Sequence, residues 1–292
     1  MKTKTSLLLA FILLSGFSST FGQSVKDTLV IDYNVIDRTV YEEISRYGAD
    51  QVLVVMDIDN TILTSNTDLG SDFWYQWQTG ELDLKPTPEQ KLTKDCMYNE
   101  AIGLLYELCS MTLTDSLLPG YINGWQKSGV TVFALTSRSS KYRPATEREL
   151  KRNNVDLSLS ALNLVDGSIL TFHYTLTREL SYVNGIFMTT GMNKGEMLAH
   201  ITGRSGRTFK AIIFVDDSRK NIDAVKTRYS DCGTTDLVLF NYAKILTERL
   251  KHNNNEVFTP QQAEQMDQDW DLLVNTLRTV FPERMANSDC NK

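Results

Sequence analysis

Val52-Leu53-Val54-Val55-Met56-Asp57-Ile58-Asp59-Asn60-Thr61 is the most informative stretch of the chain. An uninterrupted apolar run breaks abruptly into two carboxylates. A short run of this kind is a strand buried on both faces, which belongs to a parallel sheet. Three more runs follow. Residues 130–135 end in Thr136-Ser137-Arg138, residues 211–215 end in Asp216-Asp217, and residues 236–240 form the last. Helical patterns lie at 35–47, closed by Gly48, at 120–127, followed by a Ser128-Gly129 turn, and at 221–229. Strands alternating with helices predict an α/β fold, a parallel sheet covered on both faces. Ligands of such sheets gather at the carboxyl ends of the strands.

Three stretches depart from this unit. Residues 64–116 hold the aromatics Phe73, Trp74, Tyr75 and Trp77, then Pro86-Thr87-Pro88, read as opening a long helix through about Cys109. They predict a small, mainly helical insert between a first core segment, 23–63, and a second, 117–292. Residues 161–191 alternate through Ile169, Thr171 and His173 and turn at Gly185, which suggests a β-hairpin or two short extra strands. After Pro260 a terminal helix is expected, with Trp270, Leu272, Leu273 and Leu277 facing inward.

The chain has 292 residues, 41% hydrophobic and 23% charged, the balance of a globular protein. Its formal charge is -6, whereas nucleic-acid binders usually carry a basic surplus. Nucleic acid is therefore not expected as a partner. Lys2 and Lys4 precede an apolar run from Leu7 to Phe17 and a small-residue exit at Ser18-Ser19-Thr20-Phe21-Gly22. This is the form of a secretory signal peptide, cut between Gly22 and Gln23. The run is too short to span a bilayer, and no Cys follows the cut to carry a lipid. The expectation is an exported protein, periplasmic or extracellular, with no stable membrane anchor. Removing two Lys and no acid leaves 28 bases against 36 acids, 28 − 36 = −8. The four Cys form no CxxC pair. Export permits disulfides, but spacing does not say which cysteines pair, nor the oligomeric state.

Asp57 and Asp59 stand two apart on an extended segment, so alternation sends both side chains to one side. Without a neighbouring base in sequence they repel, and a hard divalent cation relieves that repulsion. Asp216 and Asp217 can complete such a site from an adjacent strand. Taken singly, each acid could equally be a cap or a solvated turn residue. A calcium loop would need oxygen fifth and Gly sixth, where Thr61 and Ile62 stand.

Asp57-Ile58-Asp59-Asn60-Thr61 resembles the Asp-x-Asp-x-Thr motif of the haloacid dehalogenase (HAD) superfamily. Thr136, Lys194 in Met192-Asn193-Lys194-Gly195, and Asp216-Asp217 with Asn221 and Asp223 resemble its second, third and fourth motifs, in the family's order. The export signal and residues 133–138 resemble secreted acid phosphatases of that superfamily. The insert and Tyr182-Val183-Asn184-Gly185-Ile186 resemble the bacterial DUF2608 group of HAD-like proteins. The resemblance implies a HAD-like Rossmannoid three-layer fold and hydrolysis of a small phosphomonoester. Asp57 would be the nucleophile of an aspartyl-phosphate route, and Asp59 the general acid and base. Mg²⁺ would be held by Asp57, the Asp59 carbonyl and Asp216, with Asp217 close by. Thr136 and the backbone N–H groups after it would cradle phosphate, and Lys194 would offset charge.

Ser137 and Arg138 follow Thr136 directly and are candidates for substrate contact. Trp74 and Trp77, three apart, share a helical face; they either fill the insert's core or cap the substrate. His173 reads as structural. A phosphotransferase would use the same catalytic residues with another acceptor. A binding protein on the same scaffold would be marked by loss of Asp57, Asp59 or Lys194, and all three are present.

Overall fold

The computed structural model describes residues 23–230, 233 and 235–290. The expected signal, 1–22, and Cys232 lie outside the described residues. The strands are β1 Val25–Val30, β2 Val52–Met56, β3 Leu63–Ser65, β4 Met111–Leu113, β5 Thr131–Thr136, β6 Phe172–Thr175, β7 Glu179–Val183, β8 Ile186–Met188, β9 Ala211–Asp216 and β10 Asp236–Tyr242. The helices are α1 Tyr33–Tyr47, α2 Asp72–Thr79, α3 Ile102–Leu108, α4 Leu118–Lys127, α5 Arg143–Arg152, α6 Lys194–Ser205, α7 Arg219–Tyr229, α8 Lys244–His252, α9 Pro260–Val280 and α10 Pro282–Met285.

Eight strands form one sheet in the order β1-β10-β9-β2-β5-β8-β7-β6. It is parallel from β1 through β8, and β7 and β6 extend it antiparallel. The expected α/β architecture is therefore present, a mostly parallel sheet with helices on both faces. The period of two along β2 divides its side chains between two cores. Val52, Val54 and Met56 pack with Ile36, Val40, Ile122 and Trp125 of α1 and α4. Leu53 and Val55 pack with Leu198, Ile201, Ile222 and Val225 of α6 and α7. Every residue of β2, β5 and β9 is buried, which explains why their sequences lack polar alternation.

The segment expected as a hairpin supplies three strands, β6 to β8. The strand β1 was not expected from the sequence. It is an exposed edge strand whose residues are mostly in solvent, so it lacks the apolar run that marks the others.

The insert is less helical than its sequence suggests. It stands on the two-stranded antiparallel sheet of β3 and β4. The helix expected to open at Pro88 does not begin there. Thr87 and Gln90 close a single turn on each other, and the Gln78 amide then binds both Gln90 O and Leu92 N–H. Those bonds hold the backbone out of a helix. A wide turn at Cys96–Ala101 leads into α3 instead. A third core joins Phe73, Trp74, Trp77 and Leu105 of the insert to Met266, Trp270 and Val274 of α9. The Cys96–Cys290 disulfide ties the same two regions together. Of the four residues expected on the inner face of α9, Leu272 instead lies in solvent at 67% exposure. Trp270 is buried, and Leu273 and Leu277 pack at the rim of this core.

Candidate metal and catalytic site

The chain leaves β2 through a tight turn. The Asp57 N–H donates to Val215 O at 2.9 Å, so the sheet pairing continues one residue past the strand. The Ile58 carbonyl accepts the N–H groups of Thr61, Ile62 and Leu63 at 3.3, 2.9 and 2.9 Å. Asn60 adopts φ 54°, a left-handed conformation that Asn tolerates better than most residues. Its N–H donates to Leu63 O at 2.7 Å. Below the turn, the Tyr33 hydroxyl donates to Thr61 O at 2.9 Å. Asp57 is thereby held over the strand ends, 6% exposed.

Strand order decides what Asp57 meets. The strand β2 lies between β5 and β9, so Asp57, Thr136 and Asp216 emerge side by side although far apart in sequence. Oxygens of Asp57, Asp216 and Asp217 all lie within 4.8 Å of one another. The Lys194 ammonium sits among them, 2.6 Å from Asp57 Oδ1 and 2.7 Å from Asp216 Oδ2. Lys194 is 1% exposed. It opens α6, where the Asn193 side chain caps the helix by accepting from Glu196 N–H at 3.0 Å. Gly195 sets how closely α6 approaches α7, for a Cβ there would stand 2.3 Å from Ala224 O. On the far side, Ser218 N–H and Asn221 Nδ2 donate to Asp216 Oδ1 at 2.9 and 3.0 Å. Asn241 Nδ2 donates to Asp217 O at 2.8 Å and pins the turn.

Burial pushes the Asp57 carboxyl up to about 8, a rise opposed by Lys194 and reinforced by Asp216 and Asp59. Burial, with Asp72, Asp216 and Asp57, likewise raises Asp217 well above the carboxylate range. The facing carboxylates hold the Lys194 ammonium charged by raising it, against the opposing effect of burial. One ammonium cannot balance three close carboxylates in a poorly solvated place, so full ionisation of the group calls for further positive charge. That donor set fits a hard divalent cation.

Asp59 points elsewhere. Arg138 grips its carboxylate with two parallel bonds, Nε to Oδ2 at 2.8 Å and Nη2 to Oδ1 at 2.7 Å. The remaining guanidinium nitrogen, Nη1, donates to Thr146 Oγ1 at 2.9 Å. The guanidinium also lies 4.3 Å from the Tyr106 ring centroid. Arg138 is 4% exposed and is aimed at Asp59 rather than into open space. Thr136 is fully buried, and its Oγ1 accepts the Arg138 N–H at 3.2 Å. Asp59 adds no carboxylate oxygen to the close group of three.

The sequence pattern of the family described as "Protein of unknown function (DUF2608)" matches residues 34–283. The chain belongs to the DUF2608 family. No curated protein matches it. The match to DUF2608 takes in the insert and the candidate site together, from α1 to the end of α9.

In this DUF2608 protein a cavity of about 510 Å³ opens beside Asp59. Ser137, Arg138 and Trp74 line it. Trp77 does not, and lies in the insert's core at 1% exposure. His173 pairs with Glu179 at 2.6 Å, away from the three carboxylates. Sequence reasoning missed Asp72, which opens α2 and lines the cavity. Burial and the charge of Asp59 push its carboxyl up to about 7, and Gln76 Nε2 donates to it at 2.7 Å. The only sequence signal was its place after the helix cap Ser71, which suits any surface helix. Tyr106 was missed too, because a tyrosine in a helical stripe reads as packing.

Proposed function

We propose that this protein is a Mg²⁺-dependent phosphomonoesterase of the HAD type. The observation that carries the reading is the Lys194 ammonium bonded to both Asp57 and Asp216 at the ends of adjacent strands. A nucleophile, a charge-offsetting lysine and a carboxylate group suited to a cation meet at the carboxyl edge of the sheet, as the four motifs imply.

Asp57, Asp216 and Asp217 would hold Mg²⁺, whose charge lets an anionic nucleophile approach an anionic phosphate. An Asp57 oxygen attacks phosphorus, the ester P–O bond breaks, and the leaving oxygen takes a proton from Asp59. Water then attacks phosphorus and gives its proton to Asp59, and the bond between phosphorus and Asp57 breaks. The Arg138 grip holds both Asp59 oxygens in a fixed place for the second step. To act as the acid in the first step, Asp59 gives up one of its Arg138 contacts. Lys194 offsets the charge that builds on Asp57 and phosphate. Residues 1–22 direct export, which accords with the Cys96–Cys290 disulfide, since such bonds persist outside the reducing cytosol.

The test uses residues 23–292 with p-nitrophenyl phosphate in Mg²⁺. Turnover is expected, with EDTA or Asp57→Asn abolishing it. Wild-type rates in Asp57→Asn would refute the mechanism. No hydrolysis across a broad panel of phosphate esters would favour a binding protein on this scaffold.

A further inference from the structure

We infer that the substrate carries a second anionic group, received by Lys94, Lys141 and Arg178 in the lining of the cavity beside Asp59. This rests on the phosphatase reading and names the class of substrate for the same site. The three cations come from separate places in the chain. Lys94 precedes the wide turn anchored by Cys96, Lys141 lies in the short turn Ser140–Tyr142, and Arg178 lies in the loop between β6 and β7. All three line the one cavity, and all three are exposed. Among the described residues none of them makes an ion pair.

The surroundings of Arg178 and Lys141 leave their charge unmatched. Arg178 Nη1 donates to Thr190 O at 3.0 Å, which holds one corner of the guanidinium, and no carboxylate pairs with it among the described residues. Lys141 lies in the field of Glu179, but His173 already holds that carboxylate. The carboxylates lining the cavity are Asp59, matched by Arg138, and Asp72. Acids outnumber bases 36 to 30 in this chain, so three unpaired cations around one opening are a concentration of charge against the overall balance. Such a group raises the local concentration of an anion and steers it inward.

The same lining carries tyrosines. Tyr75 and Tyr98 meet at their hydroxyls, 3.2 Å apart, and Tyr106 lies beneath Arg138. Phenol faces and hydroxyls suit a flat body with polar edges. The substrate class is therefore a phosphomonoester with a ring-like body and a second anionic group, a carboxylate or another phosphate.

The experiment compares phenyl phosphate, 4-carboxyphenyl phosphate and 4-(trimethylammonio)phenyl phosphate as substrates. The same compounds are titrated as ligands by tryptophan fluorescence. The carboxylate is expected to be preferred about tenfold in kcat/KM over the cation, the scale of several partly exposed ion pairs acting together. In Lys94→Gln/Lys141→Gln/Arg178→Gln that ratio is expected to fall to about one. Turnover with no carboxylate preference, or a preference the triple variant retains, overturns this inference and leaves the phosphatase reading intact. A binding preference that the triple variant loses, without turnover of any compound, keeps the anionic subsite and overturns the phosphatase reading. Neither turnover nor binding overturns both.

Discussion

Metal-free protein should lose stability as pH rises, and Asp57→Asn should blunt that loss. The Asp57 carboxyl stands near 3.8 in the unfolded chain and near about 8 in the folded one. Between those values the folded state binds one more proton than the unfolded state. Stability then falls with rising pH, by about 1.4 kcal/mol per pH unit for one such group. The stabilising proton is fully present below the unfolded value and is lost as pH climbs through the folded one. Asp217 shifts in the same direction and adds to the slope. For a chain of this size the Asp57 contribution amounts to roughly 2–3 °C of Tm per pH unit. The assay is thermal unfolding of residues 23–292 in EDTA from pH 5 to 8. Asp57→Asn mimics the protonated form, so it should fold and show a shallower decline, with the Asp217 and Asp72 parts remaining. On the proposed reading Mg²⁺ is held by the ionised carboxylates, so it should raise Tm more at pH 8 than at pH 5. Parallel Tm curves for the wild type and Asp57→Asn in EDTA would refute the placement of Asp57 in a crowded, desolvated carboxylate group.

Three further perturbations probe the supporting structure. Arg138→Lys keeps the charge but loses the two parallel bonds to Asp59 and the contact with Thr146. The planar fork has no lysine equivalent, so kcat is expected to fall at least tenfold, on the scale of about 1.4 kcal/mol per decade of rate; Asp59→Asn, which removes the acid and base itself, is expected to cost more, and adding Arg138→Lys to it should cost little further. Gly195→Ala places a methyl group 2.3 Å from Ala224 O. Prying α6 from α7 should cost about 1–3 kcal/mol, read by urea unfolding, and move the Lys194 ammonium off Asp57. Cys96→Ser removes the bond that joins the insert to the C-terminal tail. A loss of about 2–5 kcal/mol is expected, seen first as proteolytic cleavage within 64–116 while the sheet stays intact.

Much of the sheet was legible because burial on both faces leaves no choice of residue. The strands β2, β5 and β9 must be continuously apolar, and they read so. The residues that break those runs, Asp57, Thr136 and Asp216, were legible for the same reason, since a polar group at the end of a buried strand stands out. The strand β1 was not, because an exposed edge strand pays no penalty for Lys26, Asp27 and Thr28. The helix boundary in the insert was missed because Gln78 reaches Gln90 and Leu92 from a separate helix. No local pattern reports a side chain competing for a backbone that lies 12 or 14 residues away in sequence. Arg138 read as a residue that could touch substrate. Its partner Asp59 is 79 positions distant, and only the β2-β5 pairing brings them together.

By itself the sequence determined a buried parallel sheet and acids at its carboxyl edge. Continuous apolar runs have nowhere else to go, and charged residues must leave the core. It also supplied the carboxylates and the lysine, as types at spacings. The tertiary structure decided which of them meet. Strand order put the ends of β5, β2 and β9 side by side, and a glycine with no Cβ let α6 come close enough for Lys194 to reach two carboxylates. The third core and the Cys96–Cys290 bridge followed from the C-terminal helix folding back onto the insert. That contact joins residues nearly two hundred positions apart, so its energy appears in packing and leaves no local pattern in sequence.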